Sequence, residues 1–249
     1  GYLTRPDRLA ASGWLRKRVE WPGGPVPWMV FSGWADQGFD GFDEQVAPAG
    51  SDVGADISVR LPGITDLSGY GSVWTQAFGG RDFTGAWAGM DLSNNALEAI
   101  RGGVSVGAGD AIRFSDATRS FERRISARVS VRALRRLSLE LSTTASWLGF
   151  DGQALEQLWI YRGKLLIGVT RALSARLIVQ GRQGQSLDEH GAALARSDRL
   201  DISALVSFLP SPGTAVHVGF GERLGWTDGG APRTSRRDLF LKASLLIRI

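Results

Sequence analysis

The sequence predicts an all-β fold: an antiparallel up-and-down transmembrane β-barrel with about 13–14 strands visible, forming part of a larger barrel. Three observations predict it. Aliphatic and polar residues alternate over long stretches, as in Leu239, Leu241, Ala243, Leu245, Ile247 and Ile249 against Lys242, Ser244 and Arg248 at the C-terminus. The alternating runs are longer than the roughly five or six residues of an ordinary soluble strand. Short turns are expected to alternate with longer loops, as between the periplasmic and extracellular rims of an outer-membrane barrel.

The elements follow from the two-residue period, which gives each strand one oily and one wet face. The earlier strands run from about Ala10 to Trp21, Val26 to Ala35, Val53 to Leu61, Leu67 to Phe78, Phe83 to Leu92 and Leu97 to Phe114. The clearest pair follows. Ile125, Ala127, Val129, Val131 and Ala133 oppose Arg124, Ser126, Arg128, Ser130 and Arg132; after Leu134-Arg135-Arg136, Leu137, Leu139, Leu141, Thr143, Ala145 and Trp147 return opposite Ser138, Glu140, Ser142, Thr144 and Ser146. A second pair turns at Thr170-Arg171-Ala172, between Leu165, Ile167, Val169 and Leu173, Ala175, Leu177, Val179. A third turns at Pro210-Ser211-Pro212-Gly213, between Leu200, Ile202, Ala204, Val206, Phe208 and Val216, Val218, Phe220. Short turns are expected at 22–25, 62–66 and 93–95, and longer loops over 36–52, 115–122, 183–197 and 223–237, with 79–82 and 149–155 as briefer exceptions.

Composition bounds the class. The 249 residues contain no cysteine, which excludes disulfides and thiolate metal sites. The whole chain, 1–249, reads as a single domain. Only Lys17, Lys164 and Lys242 are lysines, the other cations being arginine, whose planar fork suits phosphates and carboxylates. Hydropathy alone would class the chain as soluble, since no apolar run is long enough for a membrane helix; barrel strands escape that test. An odd number of strands must be added to the thirteen visible for the first and last to close antiparallel. The chain is therefore expected to be the C-terminal portion of a larger barrel, with an export signal upstream of Gly1. Trp21 and Trp28 at one rim, and Trp34, Trp147 and Trp159 at the other, read as interfacial girdles, against the alternative of tryptophans filling a soluble core.

Gly1-Tyr2-Leu3-Thr4-Arg5-Pro6-Asp7-Arg8, the Pro212-Gly213-Thr214 turn and Phe240-Leu241-Lys242-Ala243-Ser244-Leu245-Leu246 together resemble the C-terminal barrel region of a family of uncharacterised bacterial outer-membrane proteins. In that family the barrel continues an N-terminal carbohydrate-binding module of the family-nine type. The resemblance implies an exported precursor, further upstream strands and an association with glycans. It carries over no catalytic residue. Two departures stand out: the chain ends in Ile249 where assembly signals have an aromatic residue, and Leu246 stands near where the family has Tyr or Phe.

The main candidate site is a cation ladder. Arg124, Arg128 and Arg132 share one strand face, about 13 Å apart per step of four residues. Arg60, Arg176, Arg182, Lys242 and Arg248 fall on the same kind of lumen-facing position, with Asp56, Glu140 and Asp201 as counter-charges. An electropositive path for small anions and a salt-bridged brace of the barrel both fit this pattern. Gly103-Val104-Ser105-Val106-Gly107 matches a hydrolase nucleophile elbow, with His190 or His217 as the base, but it lacks the strand-turn-helix context the elbow needs. Asp36, Asp40, Asp43 and Glu44 offer hard oxygen ligands at no known calcium-loop spacing, and the two histidines lack zinc-ligand spacing. No metal, cofactor or catalytic residue is assigned. The expectation is a non-enzymatic anchor or conduit in the bacterial outer membrane. Its partners would be membrane lipid, lipopolysaccharide, the barrel assembly machinery, and glycans or small anions; no nucleic-acid motif is present. A barrel-embedded serine hydrolase using Ser105 and a soluble β-rich binding domain are the alternatives.

Overall fold

The computed structural model describes residues 8–40, 47–97, 99–114, 117–150, 153–187, 193–211, 214–227 and 232–245. Thirteen strands follow one another: β1 Arg8–Glu20, β2 Trp28–Asp40, β3 Ala47–Leu61, β4 Thr65–Phe78, β5 Arg81–Asn94, β6 Ile100–Arg113, β7 Thr118–Leu134, β8 Leu137–Phe150, β9 Gln153–Gly168, β10 Leu173–Leu187, β11 Ala193–Ser211, β12 Thr214–Thr227 and β13 Arg233–Leu245. They form a single antiparallel up-and-down sheet in sequence order, with β1 and β13 at its edges. No helix occurs among the described residues. The up-and-down β architecture read from the alternation is therefore the observed one.

The strands are 13 to 19 residues long and exceed their expected bounds at most ends. The difference is largest in the stretches read as long loops. Residues 36–40 and 47–52 belong to β2 and β3, where Asp36 pairs with Asp52 and Gly38 with Gly50. Residues 118–122, 183–187, 193–197, 223–227 and 233–237 are likewise strand. Connections after odd-numbered strands span two to seven residues and those after even-numbered strands two to six, so the expected sorting of loops by length is not present. Glycine and aspartate, ordinarily loop signals, pair here as strand residues.

The strands group into two units. The first comprises Gly1–Asn94, Ser105–Arg124 and Leu148–Asp151; the second comprises Asn95–Val104, Ile125–Trp147 and Gly152–Ile249. In the first unit one face carries Phe31, Ile57 and Met90, in register through Gly69, with Val53 level with Val73. Its other face carries Trp34, Gly54, Ser72 and Trp87 in one row. In the second unit Ile167, Ala175, Val206, Val218 and Leu241 form a row across β9 to β13, and Leu165, Leu177, Ala204, Phe220 and Leu239 form the next. The opposite face carries Arg162, Gln180, Asp201, Arg223 and Arg236, and then Gly168, Ser174, Ser207, His217 and Lys242.

No second layer covers the aliphatic rows among the described residues. Leu141 is 50% exposed, Val206 46% and Leu241 72%, and no large side chain is fully buried. The side chain of Leu245 lies outside the described residues.

Candidate functional site

The polar face combines an aromatic floor with a ladder of charges. The floor depends on glycine. Trp34 stands opposite Gly54, Trp74 opposite Gly85 and Tyr70 opposite Gly89. In each case a Cβ on the glycine would collide with the ring. Trp87 covers Gly107 in the same way, its Cζ2 lying 2.7 Å from where that Cβ would be. The aromatic side chain needs a neighbour without a side chain in order to lie against the pleat. Trp34 Nε1 also donates to Asp52 Oδ2 at 2.8 Å.

Trp28 and Trp34 thus belong to the polar face, which corrects their reading as interfacial girdle residues. The guanidinium groups of Arg18 and Arg60 lie 5.3 and 5.1 Å from the Trp28 ring centroid. Trp147 and Trp159, on the odd-numbered positions of β8 and β9, meet edge-on at 5.7 Å.

The cation ladder divides into paired and unpaired members. Arg60 makes a two-pronged ion pair with Asp66, the second prong 3.0 Å long. Asp56, one of the counter-charges expected for this face, accepts from Ser58 Oγ at 3.4 Å. Register selects the Arg60 pair: β3 and β4 turn through 62–64, which sets Arg60 directly opposite Asp66. Arg124 donates from Nε and Nη2 to Glu122 Oε1 at 3.0 and 2.7 Å, and lies 5.5 Å from the Trp87 ring centroid. Glu140 pairs with Lys164 at 3.2 Å. Asp201 accepts from Arg199 at 2.7 Å and from Arg223 at 2.8 Å.

Arg128, Arg132, Arg176 and Arg182 are exposed and have no acidic partner among the described residues. Arg182 stands opposite Arg199, and Lys242 opposite His217. Arg248 lies outside the described residues.

The reading of the sequence missed Arg199 and Arg223 and placed Glu122 in a loop. A signal for such pairs was present. Opposite charges two residues apart share one face of a strand, and ion pairs at this spacing join Arg18 to Glu20, Glu122 to Arg124, Arg196 to Asp198, Arg199 to Asp201 and Arg236 to Asp238.

Ser105 lies inside β6, which runs from Ile100 to Arg113 with no turn into a helix. His190 lies outside the described residues. The Nδ1 of His217 is 2.9 Å from Ser207 Oγ, so the hydroxyl the structure brings to a histidine is that of Ser207. Asp36 lies in β2 opposite Asp52, while Asp43 and Glu44 lie outside the described residues. No group of three or more metal-ligating side chains occurs among the described residues. No helix is long and apolar enough to cross a membrane, which says nothing about crossing by strands. No family model matches the chain, and no curated protein matches it either.

Proposed function

We propose that the chain is a wall of an integral outer-membrane β-barrel, non-enzymatic, serving as a membrane anchor or conduit in a Gram-negative-type bacterium. The observation that carries this reading is the exposed aliphatic face of a single-layer sheet. Val53 is 54% exposed, Val73 57%, Leu141 50% and Leu241 72%. In water such an apolar surface is strongly unfavourable. Against acyl chains it has no such cost, and the paired ladder satisfies the backbone.

The aliphatic face also has an edge. In the second unit its rows give way to the ion pairs Arg196–Asp198 and Glu222–Arg237, with Trp226 opposite Asp198. From Phe208 to Asp198 the strand runs roughly 33 Å at the usual rise. Tilted by about 40°, it would cross the ~25 Å apolar band of an outer-membrane barrel. The two edge strands, β1 and β13, are both odd-numbered and point the same way, so an odd number of further strands would join them antiparallel. Lipid and lipopolysaccharide would then contact the aliphatic rows, and the barrel assembly machinery would insert the chain.

Two features favour a conduit over a plain anchor. Arg128, Arg132, Arg176 and Arg182 have no acidic partner among the described residues and add positive charge to the polar face, which suits a path for small anions. The half-buried Trp34, Tyr70, Trp74 and Trp87 offer ring faces on which sugars stack, in line with the glycan association that the family resemblance implies.

The test is membrane extraction of the chain expressed behind an export signal. It should resist alkaline carbonate, dissolve only with detergent and migrate on gels as a heat-modifiable species. Release into carbonate as a folded protein would instead support the soluble binding domain.

A further inference from the structure

Three connections of the second unit meet at one place, with a recess between them. Its volume is about 730 Å³, within the range of small-ligand sites. Arg132, Arg135 and Arg136 line it with Ser138 and Ser174, beside Leu134, Leu166 and Gly168; no acidic residue is among its described lining.

The backbone around it is fastened on both sides. Arg132 N donates to Ala99 O at 2.6 Å, and Gly168 N donates to Arg136 O at 2.7 Å. Arg136 is held as well. Its Nη1 donates to Val169 O at 3.2 Å, and its Cβ and Cγ lie where they would touch a Cβ on Gly168.

Arg132 and Arg135 remain exposed, with no acidic partner among the described residues. Arg176 adds a further cation opposite Leu166. Arg60, Arg124, Lys164, Arg199 and Arg223 on the polar face have carboxylates, whereas Arg128 and Arg182, like the recess arginines, have none among the described residues. Among the described residues the recess offers guanidinium groups and serine hydroxyls together.

We propose that this recess binds a phosphate group. Guanidinium forks donate two parallel hydrogen bonds to phosphate oxygens, and hydroxyl donors complete the shell around them, whether the group is a monoester or a diester. The proposal rests on the recess alone and holds whether or not the sheet lies in a membrane. The phosphate could belong to a soluble phosphomonoester or to a lipid headgroup, and the test separates these sources.

The experiment is calorimetric titration of the full chain, in micelles of an uncharged detergent, with inorganic phosphate, glycerol 3-phosphate and dihexanoyl phosphatidylglycerol in separate runs. Saturable binding of the first two indicates a soluble anion, and binding of the third alone indicates a headgroup; either supports the proposal. The double variant Arg132→Gln/Arg135→Gln should weaken binding by about tenfold or more. Arg199→Gln, outside the recess, should leave it unchanged. Circular dichroism of each variant checks that the sheet is retained. Absence of saturable binding for all three ligands, or equal binding by the double variant, would overturn the proposal.

Discussion

Trp34 and Gly54 face each other across β2 and β3, and the indole occupies the space a glycine side chain leaves open. A Cβ at position 54 would meet the ring on one side and Gly71 O, at 2.8 Å, on the other. Gly54→Ala should therefore destabilise the sheet by about 1–3 kcal/mol through overpacking. Gly13→Ala, where nothing lies within 4 Å of the added carbon, should change stability by less than about 0.5 kcal/mol. Urea unfolding in detergent micelles, followed by tryptophan fluorescence, checks both. Equal effects of the two substitutions would show that the ring does not depend on the glycine.

Asp201 holds two guanidinium groups, those of Arg199 and Arg223. Asp201→Asn removes the shared counter-charge and leaves two cations side by side. Because all three groups are about a third exposed or more, the expected loss is only about 1 kcal/mol. Salt screens the remaining repulsion, so the loss should shrink between low and high ionic strength. Paired unfolding curves for wild type and variant at the two salt concentrations measure it.

Glu140 is the carboxylate that neutralises Lys164 beside the unpaired arginines. Glu140→Gln should raise the preference for anions over cations, read as a shifted reversal potential in planar bilayers under a potassium chloride gradient. The pair is 30% and 48% exposed, so stability should change by less than about 1 kcal/mol. A wild-type channel that prefers cations would contradict the anion path.

The fold was legible wherever alternation was strict. Residues 125–147 displayed both faces of β7 and β8, and the C-terminal run displayed β13 up to Leu245, the last residue of that strand. It was not legible where glycine and aspartate carried the strand. Residues 36–52 read as a loop because many of their side chains are small or polar, yet Asp36 pairs with Asp52 and Gly38 with Gly50 as strand residues. The cation ladder was legible as a face and not as a set of partners. Parity places Arg60 on the polar side, but only the register of β3 with β4 selects Asp66 over Asp56. The tryptophans failed for the same reason, since Trp28 and Trp34 sit near strand ends in sequence while their parity turns them to the polar face.

The most direct test uses the absence of cysteine from the chain, which lets single cysteines carry a nitroxide along β8. In lipid-reconstituted protein, labels at Leu139, Leu141 and Thr143 should collide readily with dissolved oxygen and poorly with a water-soluble nickel chelate. Labels at Glu140, Ser142 and Thr144 should show the reverse, giving a two-residue period in accessibility. If all six positions meet the nickel chelate alike, or the odd positions are shielded from oxygen and nickel together, the aliphatic face does not touch acyl chains and the membrane wall is the wrong account.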